Sequence, residues 1–533
     1  MNPRELWDRY KRYLCVAERI GLRMDVSRMR FDDSILDRLA GPMSAALAAM
    51  QALERGAIAN ADERRMVGHY WSRAPQLAPD PAIRTAIEKS IASVKRFAAD
   101  VHDGTVAPQR GDGFFVILLI GIGGSTLGAQ LMCDCLGSLD DAMVVRFLDN
   151  TDPDGIDRVL SELNDGLEET LTVVVSKSGT TTETYNAVLE TAAAYRRLGL
   201  DFAKHAVAVT SEGSALYRRA LDEKWLKVFP MWDWVGGRTS AFSAAGLLPA
   251  ALQGTDVDAL LAGARECDIV TRGEVILQNQ YQNPAALLAM MWYHAGSGRG
   301  ERNMVVLPYR DRLCLLGRYL QQLVMESLGK EYDRAGSLVH QGLTVYGQKG
   351  TTDQHAFVQQ LRDGRNDFFV TFIEVLTDRV TTSMRVGEEV TTGDYLSAFL
   401  HGTRSALHEK DRESITITLD ALHASSLGAL IALFERAVGL YAELINVNAY
   451  HQPGVEAGKQ AAVQWIERQR AILACLRSRR GVGMTVEQVA VAIGRPDSTE
   501  EIYHILEHVA ANPDHGIAKT KGANLFDGKY AAS

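Results

Sequence analysis

Between Phe114 and Phe229 the sequence sets five short apolar runs, near 114–120, 143–148, 171–175, 205–209 and 226–229. Longer segments whose apolar residues recur at three-to-four spacing separate them. Runs that stay apolar through successive residues suit strands buried on both faces. Joined by helical crossovers, such strands form a parallel, doubly wound sheet with helices on each side. A second alternation follows: a helix capped by Asn283 and opened by Pro284, a strand near 304–307, a long helix near 313–328, and strands near 368–374 and 414–419. The expected fold is therefore α/β: two doubly wound parallel-sheet lobes, each an αβα sandwich, with helical segments at the N- and C-terminal ends.

The predicted organisation is a helical N-terminal segment over 1–110, which includes an amphipathic stretch from Pro81 to Ala99, then a first lobe over 111–255 and a second over 256–450. A closing helix over 451–480 and a small helical appendage over 481–533 complete it. Two or more lobes suit 533 residues, since single cores stop growing near ~250–300. With 57 Lys and Arg against 66 Asp and Glu, a net charge of −9 and no basic run, nucleic acid is not an expected partner. The opening MNPRELWDRYKRYL has no signal-peptide core, and the longest apolar run, FFVILLIGIG from Phe114, falls short of the ~20 residues that cross a membrane. The expected compartment is the cytoplasm. Six scattered cysteines agree with a reducing environment, and the close pair Cys133 and Cys135 reads as two small buried hydrophobes.

Several stretches carry chemistry. VVVSKSGTTTET, Val173 to Thr184, passes from a strand through a hydroxyl-rich loop into a helix. Threonines and serines there either cap the helix or, with a lysine and free amides, bind an anion. GIGGSTLG, Gly121 to Gly128, closes the first strand with glycines that allow close backbone approach and a serine that can donate; a tight turn is the plain alternative. A dinucleotide fingerprint fails there, because Thr126 stands where the third glycine of G-x-G-x-x-G belongs. His504-Ile-Leu-Glu-His508 matches an inverted zinc-protease helix, yet a catalytic zinc needs a third ligand and a cleft, so the segment reads as an ordinary amphipathic helix. No metal or other cofactor is expected. WVGGRTSAFSAAG sets Arg238 after two glycines, QQLVMESLGKEYD sets Gln322 and Glu326 four apart on one helix face, GTTDQHAF holds His355 in a polar loop, and YHQPGVEAGKQAA holds Gln452 and Lys459 near a helix start.

In this order GIGGSTLG, SKSGTTTET, GGRTS, MESLGK, DQHAF and QPGVEAGK resemble the successive signature segments of the glucose-6-phosphate isomerase family, over about residues 110–470. The resemblance implies two sugar-isomerase (SIS) lobes, a homodimer, and reversible interconversion of glucose 6-phosphate and fructose 6-phosphate without a cofactor. It gives Ser176, Lys177, Ser178 and Thr181 to the phosphate loop, with Gly124 and Ser125 beside it. It makes Glu326 the base that carries hydrogen between C2 and C1 through a cis-enediol, and Arg238 the group that stabilises the charge on the enediolate oxygens. His355, supplied by the partner subunit, opens the pyranose ring; Lys459 and Gln452 match residues around the ring oxygen and phosphate, and Gln322 lines the cleft. Three departures stand out: Thr239 where many members carry an aromatic, His451 where Asp or Asn usually precedes the glutamine, and YGQKGTTDQH for the commoner G-E-P-G-T-N-G-Q-H. Together with the appended C-terminal segment, to which the sequence assigns no function, they suggest a bacterial branch. Two alternatives remain: a broader isomerase that also accepts mannose 6-phosphate, and a SIS-type sensor that binds sugar phosphates without turnover. A sensor needs the phosphate loop but has no use for Glu326, His355 and Lys459 together.

Overall fold

The computed structural model describes residues 2–277 and 280–533 and divides into two compact units, Met1–His451 and Gln452–Ser533. In the first unit a five-stranded, wholly parallel sheet runs in the spatial order Val144–Leu148, Val116–Ile120, Thr170–Val175, Ala206–Thr210, Lys227–Pro230. Alternate residues of each strand serve opposite faces. Leu118, Ile120, Val174, Ala206 and Ala208 pack with Ile156, Leu160, Val188 and Tyr195 from the helices Pro153–Glu162 and Thr182–Arg197. Ile117, Leu119, Val173, Val175, Val207 and Val209 face the main core, with Val94, Phe97, Leu131, Leu247 and Leu248 of the helices Pro81–His102, Leu127–Leu136 and Ala244–Gln253. Burial on both faces is why the three central strands, Val116–Ile120, Thr170–Val175 and Ala206–Thr210, read as apolar runs.

The second sheet has eight strands. Val345–Tyr346, Asn303–Pro308, Phe368–Val375 and Ser414–Leu419 are mutually parallel and form the doubly wound half. The other half departs from the sequence reading, which makes residues 1–110 helical. Leu22–Asp25 pairs antiparallel with Ser414–Leu419, and Leu14–Ala17 pairs antiparallel with Leu22–Asp25, with Cys15, Ala17, Leu22 and Met24 buried. At four residues each, these strands are too short for their period to be told from that of the preceding helix. The N-terminal segment therefore completes the second lobe's sheet. It is also tied inward by Arg73, fully buried, which donates to Asp268 at 2.7 and 2.8 Å and to Glu435.

A second departure matters for the site. The helix expected near 313–328 begins as Leu316–Leu320 and then widens into a π-helical turn, Gln321–Glu326, before the chain enters the short strand Lys330–Tyr332.

The second unit begins with the helix Pro453–Ser478. The helices Val486–Ala492 and Thr499–Ala511 follow, and then a hairpin of Ile517–Thr520 and Lys529–Ala532, whose Tyr530 also bridges to Met484. Ile472, Leu476, Val489, Ile502, Ile505, Val509 and Tyr530 make its core. The sequence reading treats this appendage as purely helical. The hairpin is missed because its strands are four residues long and are separated by the eight residues 521–528, far longer than the two-residue connection that marks a hairpin in sequence.

Candidate active site

The strand order places the topological switch point of the first sheet between Val116–Ile120 and Thr170–Val175, and ligands of doubly wound sheets bind beyond the strand ends at such a point. The two loops that begin there are GIGGSTLG and SKSGTTTET. They leave the sheet side by side: a Cβ on Gly121 would lie 3.0 Å from the carbonyl oxygen of Val175. Ser176, buried, accepts from the Gly179 N–H at 3.1 Å and donates to Thr181 Oγ1 at 3.2 Å. Ser178 Oγ accepts from the N–H and the hydroxyl of Thr180 at 3.2 and 2.9 Å. Thr181 occupies the N-cap position of the helix Thr182–Arg197 without a side-chain cap bond, so its hydroxyl is not spent on the first-turn N–H groups. A helix N-terminus that takes no side-chain cap favours negative charge.

Lys177 points elsewhere. Its ammonium donates to the carbonyls of Asp233 and Val235, both at 3.2 Å, and lies 3.5 Å from the Asp233 carboxylate. It thus ties the hydroxyl-rich loop to the segment that leads into Gly236-Gly237-Arg238, and burial lowers its pKa.

That segment is pressed against the first glycine loop. A Cβ on Gly124 would fall 2.3 Å from the Gly237 carbonyl carbon, so only glycine fits, and Ser240 Oγ donates to the Gly124 carbonyl at 2.8 Å. On its other side the glycine loop meets the π turn, where the Gln322 amide nitrogen lies 3.0 Å from where a Gly123 Cβ would be.

Arg238 collects the groups of the site. It is 8 % exposed. Its Nε donates to Ser327 Oγ at 3.0 Å, Nη2 donates to the carbonyls of Ala449 at 2.7 Å and His451 at 3.3 Å, and Nη1 faces Glu326 Oε2 at 3.5 Å. Burial lowers its pKa, and the Glu326 carboxylate opposes that shift. The Glu326 side chain is 33 % exposed, so the carboxylate is held on one side by a buried guanidinium and stays open to an incoming molecule on the other.

Next to this pair stands Lys330, 5 % exposed, whose ammonium donates to the carbonyls of Glu326 at 2.7 Å and Ser327 at 2.9 Å. Burial, and then Arg238, push its pKa down to about 7. Sequence reasoning gave Ser327 and Lys330 no role although both lie inside MESLGK. The four-residue spacing of Lys330 from Glu326 was the available signal. The Ala449 and His451 carbonyls had none, because a backbone acceptor leaves no mark in sequence.

The remaining candidates sit on other elements. His355 ends the short turn Asp353–His355 and is exposed. The turn is pinned by buried Asp353, which accepts from the N–H groups of Gln348 at 2.7 Å and Lys349 at 3.1 Å. Gln452 and Lys459 belong to the second unit, at the start of the helix Pro453–Ser478. Ser125 closes the turn Gly123–Ser125. A cavity of about 990 Å³ lined by Cys133, Asp134, Arg312, Cys314 and Arg318 includes neither Glu326 nor Arg238. The inverted zinc motif lies on the helix Thr499–Ala511, where His504 is largely solvated beside Glu500. Among the described residues no group of three His, Cys, Asp or Glu could hold a metal ion.

A doubly wound sheet with a hydroxyl-rich loop and a glycine loop at its switch point, the glycine loop packed against the turn that carries a carboxylate paired with a buried guanidinium, suits an enzyme that moves protons on a small phosphorylated molecule. The family model described as phosphoglucose isomerase matches residues 25–407 and 382–473. The chain is 57 % identical over 533 residues to the glucose-6-phosphate isomerase of Geobacter sulfurreducens, covering 100 % of both chains. It is 56 % identical over 530 residues to that of Geotalea daltonii, covering 99 % of both. Its structure matches the crystal structure of a glucose-6-phosphate isomerase from Chlamydia trachomatis with a TM-score of 0.76 and 28 % identity, over 86 % of this chain and 90 % of that one. The chain belongs to the phosphoglucose isomerase family.

Proposed function

We infer that this enzyme interconverts glucose 6-phosphate and fructose 6-phosphate, the aldose–ketose step shared by glycolysis and gluconeogenesis, by the following division of labour. The phosphate sits at the N-terminus of the helix Thr182–Arg197, taken by Ser176, Ser178, Thr181 and Ser125, with Gly124 allowing close backbone approach. His355, with Lys459 and Gln452 near the ring oxygen, opens the pyranose by moving a proton between the ring oxygen and a hydroxyl. Glu326 then removes the C2 hydrogen as a proton. The electron pair forms the C1–C2 double bond of a cis-enediolate, and the same carboxyl returns the proton to C1. One base serves both carbons because both lie on one face of the planar intermediate. Arg238 meets the negative charge as it develops on the oxygens, and Gln322 lines the cleft between base and phosphate.

The observation that carries this reading is the pairing of Arg238 with Glu326 at 3.5 Å, on a segment whose Gly237 is packed against Gly124. Base and electrophile are thereby set against the glycine loop, and Lys177 ties the hydroxyl loop to the same segment. The test is an assay of the purified protein in both directions with excess chelator, together with exchange of the C2 hydrogen with solvent. Turnover with exchange is expected. Binding of fructose 6-phosphate without exchange would instead make the protein a sensor, and comparable initial rates on mannose 6-phosphate would make it a broader isomerase.

We further propose a homodimer in which His355, exposed on its short turn, completes the partner's site. Two inactive variants, Glu326→Gln and His355→Ala, should then regain part of the wild-type activity when refolded together, because one site of each mixed dimer has both groups intact. A mixture as inactive as its components would sink the shared site. The assigned compartment is the cytoplasm, in keeping with six unpaired cysteines, five of them buried.

A further inference from the structure

We propose that Lys330 is a positioning residue for this isomerisation: it clamps the two carbonyls that end the Gln321–Glu326 turn and so fixes the backbone from which Glu326 reaches the sugar. The proposal rests on Glu326 being the base.

A helix ends with carbonyls that have no N–H partner within it, and the following chain must satisfy them. Here Gly329 N–H satisfies the Met325 carbonyl at 2.8 Å, and the next two carbonyls, of Glu326 and Ser327, both go to the Lys330 ammonium. The root of the side chain is fixed as firmly as its tip. Lys330 opens a strand paired antiparallel with Leu338–Gln341, its partner being Gln341, which donates in turn to the Gly298 carbonyl at 2.8 Å. Glu326 is thus held at both ends, with Lys330 on its main chain and Arg238 on its carboxylate.

A cap alone would not call for this residue. Lys330 is buried, and Arg238, itself buried, repels its charge. The opposing influences are the carboxylates of Glu326 and Asp62, and Asp62 also has His451 at 3.8 Å and accepts from Asn448 at 2.5 Å. A lysine kept where its charge is penalised is better explained by what the charge does. It holds the peptide groups by charge-assisted bonds at a helix C-terminus, and it sets a second cation near the Glu326 carboxylate.

The experiment compares Lys330→Met and Lys330→Arg in the full-length enzyme. A loosened base loses rate and not affinity, since misplacement by about 1 Å can cost ~100-fold. Lys330→Met should lower kcat about 10- to 100-fold with KM changed less than about threefold. Lys330→Arg, which keeps charge and donors, should recover most of the loss. If Lys330→Met does not fold, Lys330→Gln, uncharged and with a short donor, takes its place with the same expectations. A folded, uncharged variant that keeps kcat within about fivefold of wild type, or loses it only in step with a rise in KM, overturns the proposal. The wild-type enzyme in the same assay separates the two readings: if it fails to isomerise, the reaction assignment falls, whereas an active wild type beside an unimpaired Lys330→Met removes the clamp alone.

Discussion

Glu326→Gln is expected to lower kcat by about 10³-fold while KM moves less than about threefold, in the range that a positioned general base contributes. The amide has the shape of the carboxylate and can still accept from Arg238, but it has no basic lone pair for the C2 proton. The surroundings survive the change. Arg238 keeps its bonds to Ser327, Ala449 and His451, and Lys330 binds the main chain of residue 326 rather than its side chain. The hydroxyl-rich loop proposed to take the phosphate follows a strand of the other sheet and is untouched. The loss should therefore fall on the chemical step alone. Steady-state rates and C2-hydrogen exchange should drop together, while opening of the sugar ring, assigned to His355, continues at its own rate. A variant that retains more than about a tenth of wild-type kcat, with exchange to match, would show that another group is the base.

What the sequence disclosed about this site, and what it hid, follows from where each function resides. Side-chain chemistry on regular elements was legible. The three central strands of the first sheet were readable because both of their faces are buried, and the hydroxyl loop stood out because it interrupts a strand-to-helix passage with donors. Backbone chemistry was not legible. The expected α-helix through Glu326 becomes a π turn, which no three-to-four pattern announces, and that turn is what brings Lys330 under its carbonyls. His451 shows the same division. Its side chain departs from the Asp or Asn usual in the family, yet Arg238 uses its carbonyl, which any residue supplies. A change of side chain there leaves the guanidinium's acceptor in place. Thr239, another departure, folds its hydroxyl back to the Gly236 carbonyl at 3.3 Å and leaves Arg238 next to it unaltered. Residues 14–25 were misread for a different reason: a strand of four residues takes its identity from the sheet it joins, and its partner Ser414–Leu419 lies almost 400 residues away.

Arg238→Lys, conservative in charge, is expected to cost about 100- to 1,000-fold in kcat, as removal of an electrostatic stabiliser does. A guanidinium is a planar fork with five N–H groups, and Arg238 spreads these over a hydroxyl, two carbonyls and the Glu326 carboxylate. An ammonium on a shorter stem has three donors around one point and cannot span that set. At least one of the Ala449 and His451 carbonyls would lose its partner in a buried place, which costs roughly 1–3 kcal/mol of stability. The melting temperature should fall along with the rate. The pH dependence supplies a sharper sign. Burial already lowers the pKa of Arg238, and an arginine starts high enough to remain charged throughout the working range. A lysine in the same place starts lower and meets the same desolvation, as Lys330 alongside it shows by falling to about 7. A lysine with a depressed pKa is charged below that pKa and neutral above it, so the variant should lose more activity than the wild type as pH rises, beyond the loss that the two proteins share through Lys330. Assays of kcat from pH 6 to 9 would detect this, and parallel profiles for the two proteins would mean that the charge at position 238 is not what stabilises the enediolate.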